Sequence, residues 1–167
     1  IRHKKAVTGG SVSTLKYYLD LKSWSFSTAM KIYSWKTCGY RYGDRFANLG
    51  GTSLFSVNTR SWKHSLYYRL KSSIQLSAMN MSEEVVISYI DIIRKHRVKY
   101  IYGYAAAIFL LARYANANNI KFSSVKGCFA TSEVLTEEYR NEIEKAFGYV
   151  MDCYGARDGG IHAYEID

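Results

Sequence analysis

From residue 82 onward the chain alternates between helix-like and strand-like segments, and this alternation constrains the fold more than any other feature. Helical patterns begin near Ser82, Ala105 and Thr136, and each is followed by a short run of strand-forming residues. Strands linked by helices in this way form parallel sheets, and the carboxyl ends of the strands then lie at one edge. We therefore predict an α/β fold with a largely parallel sheet flanked by helices.

Capping residues and hydrophobic spacing set the predicted bounds. Ser82 and Thr136 can cap helices, acids follow both of them, and Gly148 can close a helix. Helices are predicted over 23–39, 82–97, 105–116 and 136–148, and strands over 45–49, 98–102, 125–130, 149–152 and 161–166. Residues 52–77 are polar and aromatic and receive no assignment. Three predicted loops, Gly103-Tyr104, Ser132-Glu133 and Tyr154-Gly155, should gather at one edge of the sheet.

Composition indicates one globular domain. The 167 residues are 48% apolar and 22% charged, which excludes a disordered chain. The longest apolar run, 105–112, is far shorter than the roughly 20 residues that span a bilayer, so we expect no membrane segment. No secretory leader is visible at the start of this sequence. The net charge of +9 is spread along the chain, which favours a solvated surface over a nucleic-acid interface.

The three cysteines, Cys38, Cys128 and Cys153, are far apart and show no zinc-ligand spacing. A reduced, cytoplasmic setting is the expectation. His162 has no serine or cysteine at a spacing that is characteristic of a catalytic triad, so the sequence does not support a hydrolase.

Three separated motifs carry the functional signal. Residues 8–13 are small and hydroxylated, and such a loop can arrange backbone N–H groups around a phosphate. Thr131-Ser132-Glu133 follows one predicted strand, and an Asp-x-Tyr-Gly-x-Arg-Asp motif at 152–158 follows the next. Each has a purely structural alternative: a turn without a ligand, a solvated loop acid, a packed tyrosine or a surface ion pair.

Together, in this order and spacing, the motifs resemble those of the acyl-adenylate-forming enzymes. Residues 8–13 resemble their phosphate loop, 131–133 their adenine-side loop, and 152–158 their Asp-x-Tyr-Gly-x-Thr/Arg-Glu motif. The middle of the chain, around 99–105, is similar to the phenylacetate–coenzyme A ligase-like branch, which includes CapK-type proteins of capsular polysaccharide biosynthesis. The resemblance implies part of the large N-terminal domain of such an enzyme.

The resemblance also implies an activity. A small carboxylic acid attacks the α-phosphate of ATP, giving an acyl adenylate and pyrophosphate, and a thiol such as coenzyme A then takes the acyl group. The implied ATP-binding residues are Thr8, Gly9, Gly10, Ser11, Ser13, Ser132, Glu133, Tyr154, Gly155 and Arg157. Tyr102, Gly103 and Tyr104 would edge the acyl pocket, and Asp158 would hold Mg²⁺.

The sequence departs from the family pattern at three positions. Ser13 stands where the pattern has glycine, Leu15 where it has proline, and Asp158 where it has glutamate. Residues 1–167 are expected to be a single α/β subdomain that lacks the family's C-terminal lid domain with its catalytic lysine. We therefore expect no catalytic residue in this segment and no adenylation by it alone; the missing domain and a possible homodimer are the expected protein partners.

Two other functions remain open. The altered phosphate loop and Asp158 favour a non-catalytic nucleotide-binding or scaffold module of the same fold. A basic nucleic-acid-binding domain is supported only by the net charge and the aromatic content.

Overall fold

The computed structural model describes residues 3–7, 16–51, 69–70, 72–156 and 160–166. The strands are β1 (His3–Val7), β2 (Lys16–Asp20), β3 (Phe46–Gly50), β4 (Ser73–Ser77), β5 (Tyr100–Tyr104), β6 (Gly127–Thr131), β7 (Tyr149–Ala156) and β8 (Gly160–Tyr164). The helices of the described residues are α1 (Leu21–Thr37), α2 (Glu83–Lys95), α3 (Ala105–Ala117) and α4 (Glu137–Phe147).

The main sheet has six strands in the order β4-β3-β5-β6-β7-β8, and β1 and β2 form a separate antiparallel pair. The five strands from β4 to β7 are mutually parallel, and β8 pairs antiparallel with β7. The predicted class, a largely parallel sheet flanked by helices, is confirmed. Within the described ranges, no helix is long and apolar enough to cross a membrane.

Side chains of alternate strand residues fill two separate cores, as the period of two along a strand requires. On one face Ile101, Cys128 and Val150 pack against α2, α3 and α4. On the other face Tyr100, Phe129 and Met151 pack against Trp35 of α1. The Trp35 and Phe129 rings are stacked, with centroids 4.6 Å apart and an interplanar angle of 2°. The sheet is thus covered on both faces, which leaves its two ends for loops.

Two predicted loop segments are strands instead. Gly103 and Tyr104 continue β5, and α3 begins at the next residue. Glycine is needed at 103 because a Cβ there would collide with the carbonyl oxygen of Leu49 on β3, so Gly103 allows close approach and does not break the strand. Tyr154 and Gly155 continue β7, because β8 pairs with them across a bulge.

Other observed bounds of helices and strands differ from the predicted ones because of local interactions. α1 begins at Leu21, because the Asp20 carboxylate accepts a hydrogen bond from the Ser23 amide at 2.7 Å. β4 lies inside the segment that received no assignment, and β2 was not predicted. The helices predicted to start near residues 82, 105 and 136 are confirmed, and Thr136 caps α4 by accepting a hydrogen bond from the Tyr139 amide.

Candidate functional site

The three segments predicted to gather as loops, at 103–104, 132–133 and 154–155, meet at the carboxyl edge of the sheet. Tyr104 at the end of β5 pairs with Thr131 at the end of β6, and Thr131 pairs with Cys153 of β7. Since neighbouring strands are about 4.8 Å apart, the Cα atoms of these three residues lie within about 10 Å. Ser132 and Tyr154 follow directly in the chain. The edge therefore brings together residues that are separated by up to 50 positions in the sequence.

The loop after β6 has an unusual backbone and a fixed acid. Ser132 adopts φ +69°, a left-handed conformation that costs a non-glycine residue on the order of 1–3 kcal/mol. The next residue, Glu133, accepts a hydrogen bond at its Oε2 from the Ala106 amide at 2.9 Å. Its negative charge therefore lies at the N-terminus of α3, where the helix dipole favours it. The structure gives Glu133 a capping role, and its predicted role beside adenine stays a prediction.

Tyr154 projects from the same edge, and its side chain is 73% exposed. An exposed ring at a strand end can stack on a planar ligand. The neighbouring Gly155 lies so close to the Gly160 carbonyl oxygen that a Cβ would clash with it, and this close approach sets the path of β7. The β7–β8 pairing thus holds Tyr154 at the rim of the site.

The predicted acyl-pocket residues belong to different layers of the molecule. Tyr102 packs in the aromatic core under α1, with its ring centroid 5.0 Å from that of Trp35. Burial raises the pKa of Tyr102 to about 12, so its hydroxyl is protonated at neutral pH. Tyr104 packs against the core on the opposite face, and its hydroxyl lies close to Gly51, which follows β3.

A cation in the aromatic layer was missed by the sequence analysis. The Lys31 Nζ lies 5.3 Å from the Trp35 ring centroid and 5.2 Å from that of Tyr102. Such cation–π contacts fix the charged group beside two rings. The i, i+4 spacing of Lys31 and Trp35 on α1 was the available signal, since residues so spaced share a helix face. Its contact with Tyr102 could not be read, because it depends on how α1 packs on the sheet.

Cys128 and Cys153 are unsuited to nucleophilic chemistry. Cys153 is buried next to the edge, and burial with the nearby Asp152 charge raises its pKa to about 12. Burial also raises the pKa of Cys128. Both are buried strand residues, and both remain thiols at neutral pH.

An ion pair anchors β7 just before Tyr154. Arg140 of α4 donates to both carboxylate oxygens of Glu165 at 2.7 and 2.8 Å, and to the Val150 carbonyl at 3.0 Å. The Glu165 carboxylate also accepts a hydrogen bond from the Asp152 amide at 3.1 Å. We call these contacts the β7 clamp. Burial, with the Glu165 charge second, raises the pKa of Asp152 above its ordinary value.

Several predicted site residues lie outside the described part of the chain. These are Thr8, Gly9, Gly10, Ser11, Ser13, Arg157 and Asp158. Within the described ranges, no group of three or more His, Cys, Asp or Glu side chains could hold a metal ion. The predicted phosphate loop and magnesium ligand therefore stay predictions.

No protein-family model matches the chain. Protein CapK of Staphylococcus aureus is 27% identical over 158 residues, which are 93% of this chain and 35% of that protein. An open conformation of 2-hydroxyisobutyryl-CoA ligase, in complex with 2-HIB-AMP and CoA, superposes with a TM-score of 0.63 at 18% identity. The chain has the fold of the adenylate-forming superfamily.

A second ligase structure matches in the same way. A malonyl-CoA ligase ternary product complex, with methylmalonyl-CoA and AMP bound, gives a TM-score of 0.65 at 14% identity. The superposition covers 96% of this chain and 34% of the malonyl-CoA ligase, and the first ligase is covered to 33%. The predicted resemblance to adenylate-forming enzymes is confirmed at the level of the fold, and the chain spans about a third of these relatives.

Proposed function

We propose that the chain is the nucleotide-binding part of an ATP-dependent, adenylate-forming acid–thiol ligase, and that the carboxyl edge of the sheet binds ATP and then the acyl adenylate. The observation that carries the proposal is the register that gathers Tyr104, Ser132 and Tyr154 at one edge. In parallel α/β sheets, ligands bind outside the carboxyl ends of the strands. The similarity to CapK and to ligases that hold AMP and CoA supports the choice of ligand.

In this proposal the described residues at the edge bind the adenosine group of ATP. The exposed Tyr154 ring supplies a stacking surface, and the turn at Ser132 and Glu133 supplies polar groups next to it. Glu133 is already held by the α3 N-terminus, so the loop is fixed before a ligand arrives. In this proposal the three residues bind and orient the base and exclude water from it. We also propose that the end of β5 at Tyr102, Gly103 and Tyr104 edges the acyl pocket, although the Tyr102 and Tyr104 rings pack in cores on opposite faces of the sheet.

The chemistry follows from the resemblance and balances as two steps. A carboxylate oxygen bonds to the α-phosphorus of ATP, pyrophosphate leaves, and an acyl adenylate forms. A thiolate, such as that of coenzyme A, then bonds to the acyl carbon, and AMP leaves. In this proposal Arg157 and the loop at 8–13 bind phosphate oxygens, and Asp158 holds Mg²⁺, which would neutralise charge on the phosphates.

Calorimetric titration with Mg-ATP tests the site. We expect the chain to bind Mg-ATP and Tyr154→Ala to weaken binding roughly fivefold to a hundredfold, since stacking on a base contributes about 1–3 kcal/mol. Tyr154→Phe keeps the ring and should bind nearly as well as the unmodified chain. Tyr33→Ala is the matched control, because Tyr33 is also exposed but lies on α1. Absence of binding, or equal losses in Tyr154→Ala and Tyr33→Ala, would contradict the proposal.

A non-catalytic nucleotide-binding module is the second candidate. The departures at Ser13, Leu15 and Asp158 favour it, since they alter the residues that the resemblance assigns to phosphates and magnesium. Both candidates predict ATP binding, but they differ for a full-length protein of about three times this length. Release of pyrophosphate that depends on a carboxylic acid would support the ligase, and its absence with ATP binding intact would support the module.

A further inference from the structure

The edge opposite the candidate site is strongly basic. The parallel strands begin at this edge, and α1, α2, α3 and α4 end there. The described loops that lead into β3, β5 and β6 supply six cations and one carboxylate, Asp44. We call these cations the basic edge: Arg41, Arg45, Arg97, Lys99, Lys121 and Lys126.

Backbone hydrogen bonds place three of these cations side by side. The Lys99 amide donates to the Arg45 carbonyl at 2.8 Å, and the Lys126 amide donates to the Lys99 carbonyl at 2.8 Å. The three residues therefore lie in a row at the starts of β3, β5 and β6, about 5 Å apart. Like charges at this spacing reinforce one another and produce a positive potential over the edge.

Contacts within the protein engage only some of the cations of the basic edge. Lys99 pairs with Asp44 at 2.6 Å, and Arg45 donates to the His96 carbonyl at 2.8 Å. Burial alone would raise the pKa of Asp44, but hydrogen bonds from Lys99 and the Arg41 amide, together with the charges of Lys99 and Lys126, lower it below its ordinary value. The side chains of Arg41, Arg97, Lys121 and Lys126 are exposed.

Two exposed apolar side chains lie beside the basic edge. Tyr42, in the turn between Arg41 and Asp44, is 75% exposed. Leu70 is 73% exposed and lies just before β4, where the Ser72 carbonyl accepts a hydrogen bond from the Phe46 amide. From β4 to β6 the edge spans about 15 Å, so the cations and the two apolar side chains share one rim.

We propose that the basic edge is a docking surface for an anionic phospholipid membrane. Lysine and arginine side chains near such a surface are attracted to its headgroups, and tyrosine and leucine can enter the boundary between headgroups and acyl chains. Leu70 favours a membrane over a nucleic acid as the anionic partner. An aliphatic side chain is stabilised by contact with acyl chains, whereas it is not stabilised by the phosphates of a nucleic acid. Docking at this edge leaves the candidate ATP site, at the other end of the strands, open to solvent.

Sedimentation with lipid vesicles tests the proposal on the whole chain. We expect binding to vesicles of phosphatidylcholine with phosphatidylglycerol, little binding to pure phosphatidylcholine, and loss of binding as salt is raised. Each cation near a membrane contributes about fivefold to binding, so the triple variant Arg41→Glu, Arg97→Glu, Lys121→Glu should bind roughly a hundredfold more weakly or worse. The variant Tyr42→Ser, Leu70→Ser should bind severalfold more weakly with an unchanged salt dependence.

The matched control reverses three exposed cations outside the basic edge, Lys16→Glu, Lys22→Glu and Arg113→Glu. It has the same net charge as the basic-edge triple variant and should keep most of the binding. Both triple variants should keep the circular dichroism spectrum and the Mg-ATP affinity of the unmodified chain. Equal losses in the two triple variants, equal binding to neutral and anionic vesicles, or tighter binding of duplex DNA or RNA at the same edge would overturn the proposal.

Discussion

At the scale of single residues, Gly103 links the packing of the sheet to the candidate acyl pocket. Gly103→Ala should lower the free energy of unfolding by at least about 2 kcal/mol, because its Cβ would meet the Leu49 backbone, which cannot move without disturbing β3. Gly51→Ala is the matched control: its Cβ would lie 2.8 Å from the Tyr104 hydroxyl, which can move. Urea unfolding measures both, and equal costs would contradict the assigned role of Gly103.

Two other residue-scale features of the site could not be predicted from the sequence. The bond between Glu133 and the Ala106 amide joins residues 27 positions apart, and no local pattern encodes it. The left-handed backbone at Ser132 could not be predicted either, since serine rarely adopts it. By contrast, the proximity of Ser132 and Tyr154 was predicted correctly, because parallel strands place their carboxyl ends together.

At the scale of elements, the β7 clamp joins α4, β7 and the segment after β8. Burial would raise the pKa of Glu165, but hydrogen bonds from Arg140 and the Asp152 amide lower it below its ordinary value of 4.5. The folded chain therefore binds this proton less readily than the unfolded chain. The stabilisation by the clamp should be fully present above about pH 4.5 and lost as the pH falls through the lowered pKa.

Glu165→Gln tests the clamp. Because the pair is partly exposed, we expect a loss of only about 1 kcal/mol at pH 7. The difference between the variant and the unmodified chain should shrink as the pH falls below 4.5, because protonation of Glu165 removes the charge that the clamp depends on. Urea unfolding at pH 7, 5 and 3.5 measures it, with Asp91→Asn, an exposed carboxylate on α2, as the control. A difference that stays constant or grows in acid would show that the clamp does not act through this charge.

Helices with strong hydrophobic periodicity were predicted well, and strands whose formation depends on pairing with a neighbouring strand were predicted poorly. The helices α2, α3 and α4 follow from hydrophobic spacing that is visible in the sequence, and the predicted cap at Thr136 is present in α4, whereas Ser82 makes no side-chain capping bond in α2. β4 and the extension of β7 through Tyr154 depend on a neighbouring strand, and a single chain segment does not reveal its neighbour.

At the scale of the whole molecule, the two ends of the parallel strands have different characters. The carboxyl edge combines an exposed aromatic ring, a strained turn and a capped helix, whereas the amino edge is basic. The sheet order separates these edges by the length of the strands, five residues or about 17 Å in β5 and β6. Nucleotide binding is therefore proposed at one end of the molecule and membrane docking at the other.

Photoaffinity labelling with 8-azido-ATP, followed by peptide mapping, tests the assignment of the nucleotide site most directly. We predict that the label attaches to peptides containing Ser132, Glu133 or Tyr154, and that excess Mg-ATP prevents it. Label that attaches mainly at the basic edge, or that excess Mg-ATP does not prevent, would contradict the account.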